Sequence, residues 1–186
     1  MSKLNIKELE PEKKITLTKF NFSCDDIDES IPKPLPQMLN FFMLICGRPG
    51  SGKTTLILNL VCKRGKIYNK KFDKIFVFSP SLLTLKDNPF EDLPEDQMDT
   101  ELTEENLTSS LESIKESGDK CLFILDDVVN DMKKSSAIQS LLSKMLMNRR
   151  HLAGAGGSCS FIITTQVYNK IPAPIRKTAS HIIIFH

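Results

Sequence analysis

The chain has 186 residues, 40% of them hydrophobic, which is enough for one domain with a substantial core. No apolar run approaches the ~20 residues that span a membrane, and the start of the chain lacks the apolar stretch of a signal peptide. We therefore expect an intracellular protein without a membrane partner. The cysteines show neither disulfide nor zinc spacing, so we expect reduced thiols. They are Cys24, Cys46, Cys62, Cys121 and Cys159.

The formal net charge of +2 hides an uneven distribution of charge along the chain. Residues 87–119 contain twelve acidic residues and one lysine, whereas residues 132–186 contain no acidic residue. The basic side chains of this last stretch are Lys133, Lys134, Lys144, Arg149, Arg150, Lys170, Arg176 and Lys177. They predict an electropositive face that meets phosphate or an acidic neighbour, with scattered solubilising charges as the alternative.

The beginning of the chain differs in composition from the rest. Residues 1–37 are polar and contain several prolines near their end, so we predict an N-terminal arm and a proline-rich linker there. Within the arm, the alternating residues 15–20 are typical of an edge strand. The folded domain is predicted at 38–186. Because the chain stops directly after the apolar run 182–185, we expect a longer natural protein.

The apolar runs after residue 38 follow the rhythm of a βαβ fold. Five runs are predicted as buried strands: 41–46, 74–78, 121–125, 160–164 and 182–185. Three segments are predicted as helices: 53–63, 103–117 and 135–148. Continuous rather than alternating apolar residues are typical of parallel strands that are covered on both faces. The acidic segment 87–105 is predicted to be a long surface excursion.

Residues 47–54 read Gly-Arg-Pro-Gly-Ser-Gly-Lys-Thr and join a predicted strand to a predicted helix. This is the G-x-x-x-x-G-K-[ST] pattern of a phosphate-binding loop. Its glycines let backbone N–H groups point at phosphates, and the helix dipole adds positive potential. We assign nucleotide binding to Gly47, Arg48, Pro49, Gly50, Ser51, Gly52, Lys53, Thr54 and Thr55. In this assignment Lys53 supplies a charge for the phosphates, and Thr54 supplies a hydroxyl ligand for Mg²⁺.

Two adjacent carboxylates, Asp126 and Asp127, follow the apolar run 122–125. A turn at the end of a strand brings both side chains toward the phosphates. Asp126 is predicted to hold Mg²⁺, and Asp127 is predicted to orient the attacking water. The alternative is an acidic pair that only ends a strand. The phosphate-binding loop about seventy residues upstream favours the catalytic interpretation.

Gln166 ends a further apolar strand, in the order Thr-Thr-Gln. It is predicted to bond the γ-phosphate or its water, with a plain strand cap as the alternative. This pattern fits nucleoside triphosphatases that insert an additional strand between the strands of the phosphate loop and of the carboxylates. Kinases and G-proteins fit less well, because the sequence contains no guanine-reading Asn-Lys-x-Asp.

Arginines precede and follow the strand that ends in Gln166. Arg150 lies in the segment 148–151, and Arg176 lies in the segment 171–177. Either arginine is a candidate to reach a γ-phosphate across a subunit boundary. A surface arginine is the alternative for each of them. His151 has no second ligand at metal-binding spacing, which favours a structural role.

These motifs, in this order, resemble those of the genome-packaging ATPases of large double-stranded DNA viruses. Those enzymes are of the poxvirus type and are similar to the FtsK/HerA branch of hexameric DNA pumps. The resemblance covers residues 40–186, whereas the first forty residues match nothing. It rests on 47–54, 122–127, 148–151, 162–166 and 172–176.

The resemblance implies an α/β P-loop NTPase fold of the RecA-like, additional-strand type. Such a fold has a mainly parallel sheet with helices on both faces. The resemblance also implies ATP and Mg²⁺ as cofactors, a homo-oligomeric ring, and double-stranded DNA as a partner. Capsid or portal-type proteins are further implied partners, and the implied location is the host-cell cytoplasm or the virion.

The same resemblance assigns roles to single residues. Asp126 holds the metal, Asp127 acts on the water, and Gln166 senses the nucleotide. Arg150 or Arg176 acts across the subunit boundary. The chain departs from the wider branch at Asp127, where a glutamate is usual and the side chain is one methylene shorter.

Two other functions compete with a DNA motor. A nucleotide or nucleoside kinase would need a closing lid and an acceptor pocket, and the acidic segment 87–105 makes a poor lid. An assembly protein that binds ATP as a switch, with little turnover, belongs to a different class. DNA-stimulated hydrolysis favours the motor, whereas phosphate transfer to a nucleoside favours the kinase.

Overall fold

Six parallel strands form one sheet in the computed structural model, which describes residues 25–62, 67–83, 90 and 93–186. The strands are β1 (Phe42–Cys46), β2 (Lys74–Phe78), β3 (Met98–Asp99), β4 (Lys120–Leu125), β5 (Ser158–Thr165) and β6 (His181–Ile184). Their spatial order is β3-β2-β4-β5-β1-β6. Strand β5 therefore lies between β1 and β4, which confirms the predicted additional-strand α/β fold. The predicted edge strand 15–20 and Cys24 lie outside the described residues.

Helices cover both faces of this sheet. They are α1 (Lys53–Val61), α2 (Glu104–Ile114), α3 (Val129–Lys134), α4 (Ser136–Asn148) and α5 (Ala173–Arg176). The Thr103 side chain caps α2 by accepting a bond from Asn106 N–H at 3.1 Å, and Ser135 caps α4 in the same way. None of the helices in the described ranges is long and apolar enough to cross a membrane.

The two faces of the sheet bury separate apolar clusters. Side chains of α2 and α4 pack on one face, and those of α1 pack on the other. Three phenylalanines stack across adjacent strands on the α2/α4 face, since Phe76 and Phe161 lie 4.9 and 5.0 Å from Phe123 between ring centroids. Burial on both sides explains why these strands read as continuous apolar runs.

The acidic segment contains a strand that the sequence analysis did not predict. Met98 and Asp99 form β3, which pairs with Val77 and Phe78 of β2. The interpretation of 87–105 as a surface excursion is therefore wrong for these residues, while 87–89, 91 and 92 lie outside the described part. A pair of strand residues without an apolar run leaves no periodic signal. The short helices α3 and α5 were not predicted either, because six and four residues are too few to show a helical period.

Residues that precede β1 pack onto the domain. Ile31 is buried in the cluster on the α1 face, and the Tyr68 hydroxyl donates to Pro36 O at 2.8 Å. Lys71 Nζ lies 2.6 Å from the carboxylate of Asp28. The hydrogen bond from Lys71 lowers the pKa of Asp28 to about 2. These contacts fasten part of the predicted linker, and the domain boundary at residue 38 stays a prediction.

The buried hydroxyl of Ser160 on β5 allows a test of how the core is stabilised. Its side chain is 0% exposed, and its Oγ has no hydrogen-bond partner among the described residues. Ser160→Ala should therefore raise the free energy of unfolding by about 1 kcal/mol, measured by urea denaturation. Ser158→Ala is the matched control, because Ser158 Oγ donates to Leu39 O at 2.7 Å. The control should lower the free energy by about 1 kcal/mol. Equal losses in both variants would contradict this account.

Candidate nucleotide site

The loop 47–54 joins the carboxyl end of β1 to the start of α1. Gly50 and Gly52 have φ angles of 74° and 96°, in the left-handed region that favours glycine. Gly47 is closely approached, since an added Cβ would lie 2.6 Å from Ser51 Oγ and 2.7 Å from the Cβ of Phe185. The loop thus turns tightly at the positive end of a helix dipole, as an anion-binding loop requires.

Lys53 is buried at the base of the loop. Its ammonium donates to Gly47 O at 2.9 Å and to Arg48 O at 3.0 Å. These bonds use two of its three N–H donors. The charge is thereby fixed inside the curve of the loop, where a phosphate would lie. Arg48, Pro49 and Thr55 are exposed around it.

Asp126 is the centre of a network of hydroxyl groups. The carboxylate is 6% exposed and lies at the end of β4. Thr54 Oγ1 donates to its Oδ2 at 3.1 Å, and Thr164 Oγ1 donates to its Oδ1 at 2.7 Å. Ser79 Oγ, at the end of β2, lies 3.4 Å from the same Oδ2. The structure thus brings both predicted metal ligands, Thr54 and Asp126, together.

Ser79 and the hydroxyl of Thr164 were not assigned roles by the sequence analysis. Each follows or ends an apolar strand, and the carboxyl ends of parallel strands meet at one edge of the sheet. A single serine or threonine at a strand end is common, however, and the order of the strands is needed to show which of them meet. That order, not a motif, identifies these two residues.

Asp127 and Gln166 form a second pair beside Asp126. Asp127 has a φ of 57°, and its backbone N–H donates to Thr164 Oγ1 at 2.9 Å. Gln166 Nε2 donates to Asp127 Oδ2 at 3.1 Å, and both side chains are exposed. The carboxylate predicted to act on water and the amide predicted to sense phosphate are therefore neighbours with access to solvent.

Arg150 lies far from this edge of its own sheet. Cys159 N–H donates to Arg149 O at 2.8 Å, which fixes both arginines at the amino end of β5. Arg150 Nη2 lies 3.2 Å from the carboxylate of Asp25, and both side chains are partly exposed. Arg149 donates to Asn40 O, and burial lowers the pKa of its guanidinium. The loop 47–54 lies at the opposite, carboxyl end of the strands.

Arg176 is held in the connection between β5 and β6. Its Nη1 donates to Ile171 O at 3.1 Å, and its Cζ lies 5.4 Å from the centroid of the Tyr168 ring. These contacts tie it to the segment after Gln166 rather than to the carboxylates. Neither predicted arginine is thus part of the cluster that a single chain assembles.

The described residues fit ATP and Mg²⁺. Ser51 Oγ is buried in the loop without a hydrogen-bond partner among these residues, as expected for a group that meets a ligand oxygen. Hydroxyl and carboxylate oxygens are the ligands that Mg²⁺ prefers. No group of three or more His, Cys, Asp or Glu forms a metal cage in the described part of the chain. Mg²⁺ is usually held by one or two carboxylates together with substrate phosphates, so such a cage is not required.

The loop at the start of α1, the carboxylates at the end of β4 and the inserted strand β5 define a P-loop ATPase. The family model of the Poxvirus A32 protein matches residues 35–186. The chain therefore belongs to the Poxvirus A32 protein family.

The solved structures to which this chain is similar share little sequence with it. A point mutant of Thermotoga maritima RuvB is 16% identical with a TM-score of 0.49, covering 78% of this chain and 37% of RuvB. Caenorhabditis elegans PCH-2 is 18% identical with a TM-score of 0.46, and the match covers 78% of this chain and 34% of PCH-2. EscN of the enteropathogenic Escherichia coli type III secretion system is 14% identical with a TM-score of 0.48, and the match covers 78% of this chain and 43% of EscN. The chain thus spans less than half of each of these proteins. A search of curated proteins found no match.

Proposed function

We propose that this protein is an ATP-hydrolysing motor that packages double-stranded viral DNA into capsids as a ring of identical subunits. The observation that carries the proposal is that Thr54 at the start of α1 bonds Asp126, and Gln166 bonds Asp127, at the edge of the sheet where the carboxyl ends of the strands meet. Membership of the Poxvirus A32 protein family supports the packaging role. We place the ATPase domain at 38–186, and the motor in the host-cell cytoplasm or the virion, with capsid or portal-type proteins as partners.

Hydrolysis in this site rests on positioning and electrostatics. Lys53 and the N–H groups of the loop bind the β- and γ-phosphates. Thr54 and Asp126 would hold Mg²⁺, which supplies positive charge to the phosphate oxygens when it is bound. Asp127 accepts a hydrogen bond from the attacking water and then its proton. Gln166 donates to Asp127 and keeps this carboxylate oriented toward the water.

The distribution of surface charge supports a phosphate-rich partner. Exposed lysines lie on α3, on α4 and in the connection that contains α5: Lys133, Lys134, Lys144, Lys170 and Lys177. Acidic residues are concentrated in another part of the sequence, where α2 exposes Glu104, Glu105 and Glu112. The acidic helix α2 packs on the same face of the sheet as α4, so the support comes from the exposed lysines themselves. Exposed lysines favour binding to the DNA backbone, which does not depend on base sequence.

Translocation itself can be tested with a DNA duplex that carries a third, triplex-forming strand. The native protein should displace the third strand only when ATP and Mg²⁺ are present. Lys53→Ala should not displace it, while Lys115→Ala, on an exposed side chain outside the site, should do so at the native rate. ATP hydrolysis without displacement on any length of DNA would contradict the motor function.

A ring places the arginine of one subunit near the phosphates of the next. Arg150 lies at the opposite end of the strands from its own loop, which is compatible with such a role, and Arg176 remains the other candidate. We propose that one of them acts in trans, so that specific activity rises with protein concentration. Its alanine variant should lose about 10³-fold or more in turnover.

Mixing experiments can identify this arginine. The inactive alanine variant is mixed in equal amounts with Lys53→Ala, which keeps the arginine. In a randomly mixed ring, half of the subunits keep Lys53 and half of their neighbours supply the arginine, so roughly a quarter of the native activity should return. An arginine variant that is inactive alone and gains nothing on mixing does not act in trans.

A further inference from the structure

Ser79 lies where the metal site and the neighbouring strand β2 meet. Its side chain is 3% exposed, and it follows the last residue of β2, Phe78. The backbone holds it firmly, because Ser79 N–H donates to Asp99 O at 2.9 Å and Asp126 N–H donates to Phe78 O at 2.9 Å. The ends of β2, β3 and β4 are thereby fixed to one another, and the hydroxyl of Ser79 has a defined position beside Asp126.

Two hydroxyl groups converge on one oxygen of the carboxylate. Thr54 Oγ1 lies 3.1 Å from Asp126 Oδ2, and Ser79 Oγ lies 3.4 Å from it. The second separation is longer than an ordinary O–H···O bond of about 2.5–3.0 Å, so it stabilises the fold little. Ser79 makes its normal bond with Ser81, at 2.8 Å between the two Oγ atoms. Ser79 is thus held near Asp126, but its normal hydrogen bond is with Ser81.

A small cavity separates these groups from the apolar core. Its polar wall consists of Thr54, Ser79, Ser81 and Asp126, and its volume is about 10 Å³. A water needs about 10–15 Å³ and two to four polar partners. The cavity therefore has nearly the size and the chemistry for one water between the serine pair and the ligands of Mg²⁺.

We propose that Ser79 is a positioning residue of the metal site, which orients Asp126 and a water of the Mg²⁺ hydration shell through its hydroxyl. Ser81 supports it from the other side. Mg²⁺ keeps several of its waters in proteins, and groups that orient those waters or the ligands tune the affinity for the metal. The inference rests on the proposed Mg²⁺–ATP site, and it is independent of DNA movement.

The test measures Mg²⁺ affinity rather than turnover. Binding of a fluorescent ATP analogue is followed at increasing free Mg²⁺, with an EDTA sample as the metal-free reference. Ser79→Ala should raise the Mg²⁺ concentration for half-maximal binding by about tenfold and leave the EDTA value unchanged. Ser158→Ala removes a hydroxyl that is also buried but lies at the amino end of β5, away from the metal site. It should change neither the Mg²⁺ midpoint nor the EDTA value.

The outcomes separate this inference from the site on which it rests. If Ser79→Ala shifts the melting temperature but not the Mg²⁺ midpoint, the serine is only structural and the inference is wrong. If Ser79→Ala does not fold, Ser81→Ala replaces it, with an expected shift in the same direction. If Asp126→Asn also leaves the midpoint unchanged, the proposed Mg²⁺ site itself is wrong.

Discussion

Replacement of Lys53 by alanine should lower steady-state ATP turnover by about 10²–10³-fold. The ammonium lies buried inside the loop 47–54, fixed by the carbonyl oxygens of Gly47 and Arg48. A charge that is already in position loses little energy to reorganisation when negative charge builds up on the phosphates. Alanine removes this charge and leaves the glycine geometry of the loop in place. The direct measurement is phosphate release under saturating ATP and Mg²⁺.

The same change has a smaller effect on stability. Two charge-assisted hydrogen bonds are lost, but the cost of burying the ammonium is lost with them, so the free energy of unfolding should fall by only about 1–2 kcal/mol. Denaturation in urea therefore shows whether lost activity reflects lost folding. Lys115→Ala is the matched control, because Lys115 is exposed outside the site. A folded Lys53→Ala protein that keeps more than a third of native turnover would exclude a role for this lysine in catalysis.

Asp127→Asn should lower turnover by about 10²–10⁴-fold while ATP binding stays within about twofold of native. Asp127 has a φ of 57°, a conformation that asparagine adopts as readily as aspartate. Asparagine also keeps an oxygen that can accept the bond from Gln166 Nε2. The substitution thus removes the negative charge and the proton acceptor, but retains the local geometry. Single-turnover hydrolysis and equilibrium ATP binding measure the two effects separately.

Asp127→Glu provides the comparison for side-chain length. The left-handed backbone disfavours glutamate by about 1 kcal/mol, which gives a physical reason for aspartate at this position. Glutamate keeps the charge, so its turnover should lie between those of the native protein and Asp127→Asn. If Asp127→Asn hydrolyses ATP at the native rate, the proton acceptor lies elsewhere in the site.

The inner strands of the sheet were largely predictable from the sequence because they are buried on both faces. The run 182–185 was predicted as a buried strand, but β6 is an edge strand on which Ile182 and Ile184 are exposed. Runs such as 75–78 and 121–125 are continuously apolar, and the loop 47–54 marks the junction of β1 and α1. Strand β3 was not predictable, because Met98–Asp99 owes its conformation to pairing with β2. Tertiary contacts determine such short elements, so the local sequence contains no pattern that predicts them.

The candidate site was predictable only where its residues form a recognisable sequence motif. The phosphate loop and the carboxylates appear as motifs, so Lys53 and Asp126 could be assigned directly. Ser79 could not be assigned, because its place beside Asp126 follows from β2 being the neighbour of β4. The roles of Arg150 and Arg176 depend on a second subunit, and the fold of one chain does not determine them.

The motor function is tested most directly by steady-state ATP hydrolysis at high protein concentration, with and without long duplex DNA. DNA should stimulate hydrolysis by the native protein, and Lys53→Ala and Asp127→Asn should abolish the stimulated rate. Tight ATP binding with a slow rate that DNA does not change would contradict the motor function, and would favour a nucleotide-gated assembly protein. Phosphate transfer to an added nucleoside would contradict it in favour of a kinase.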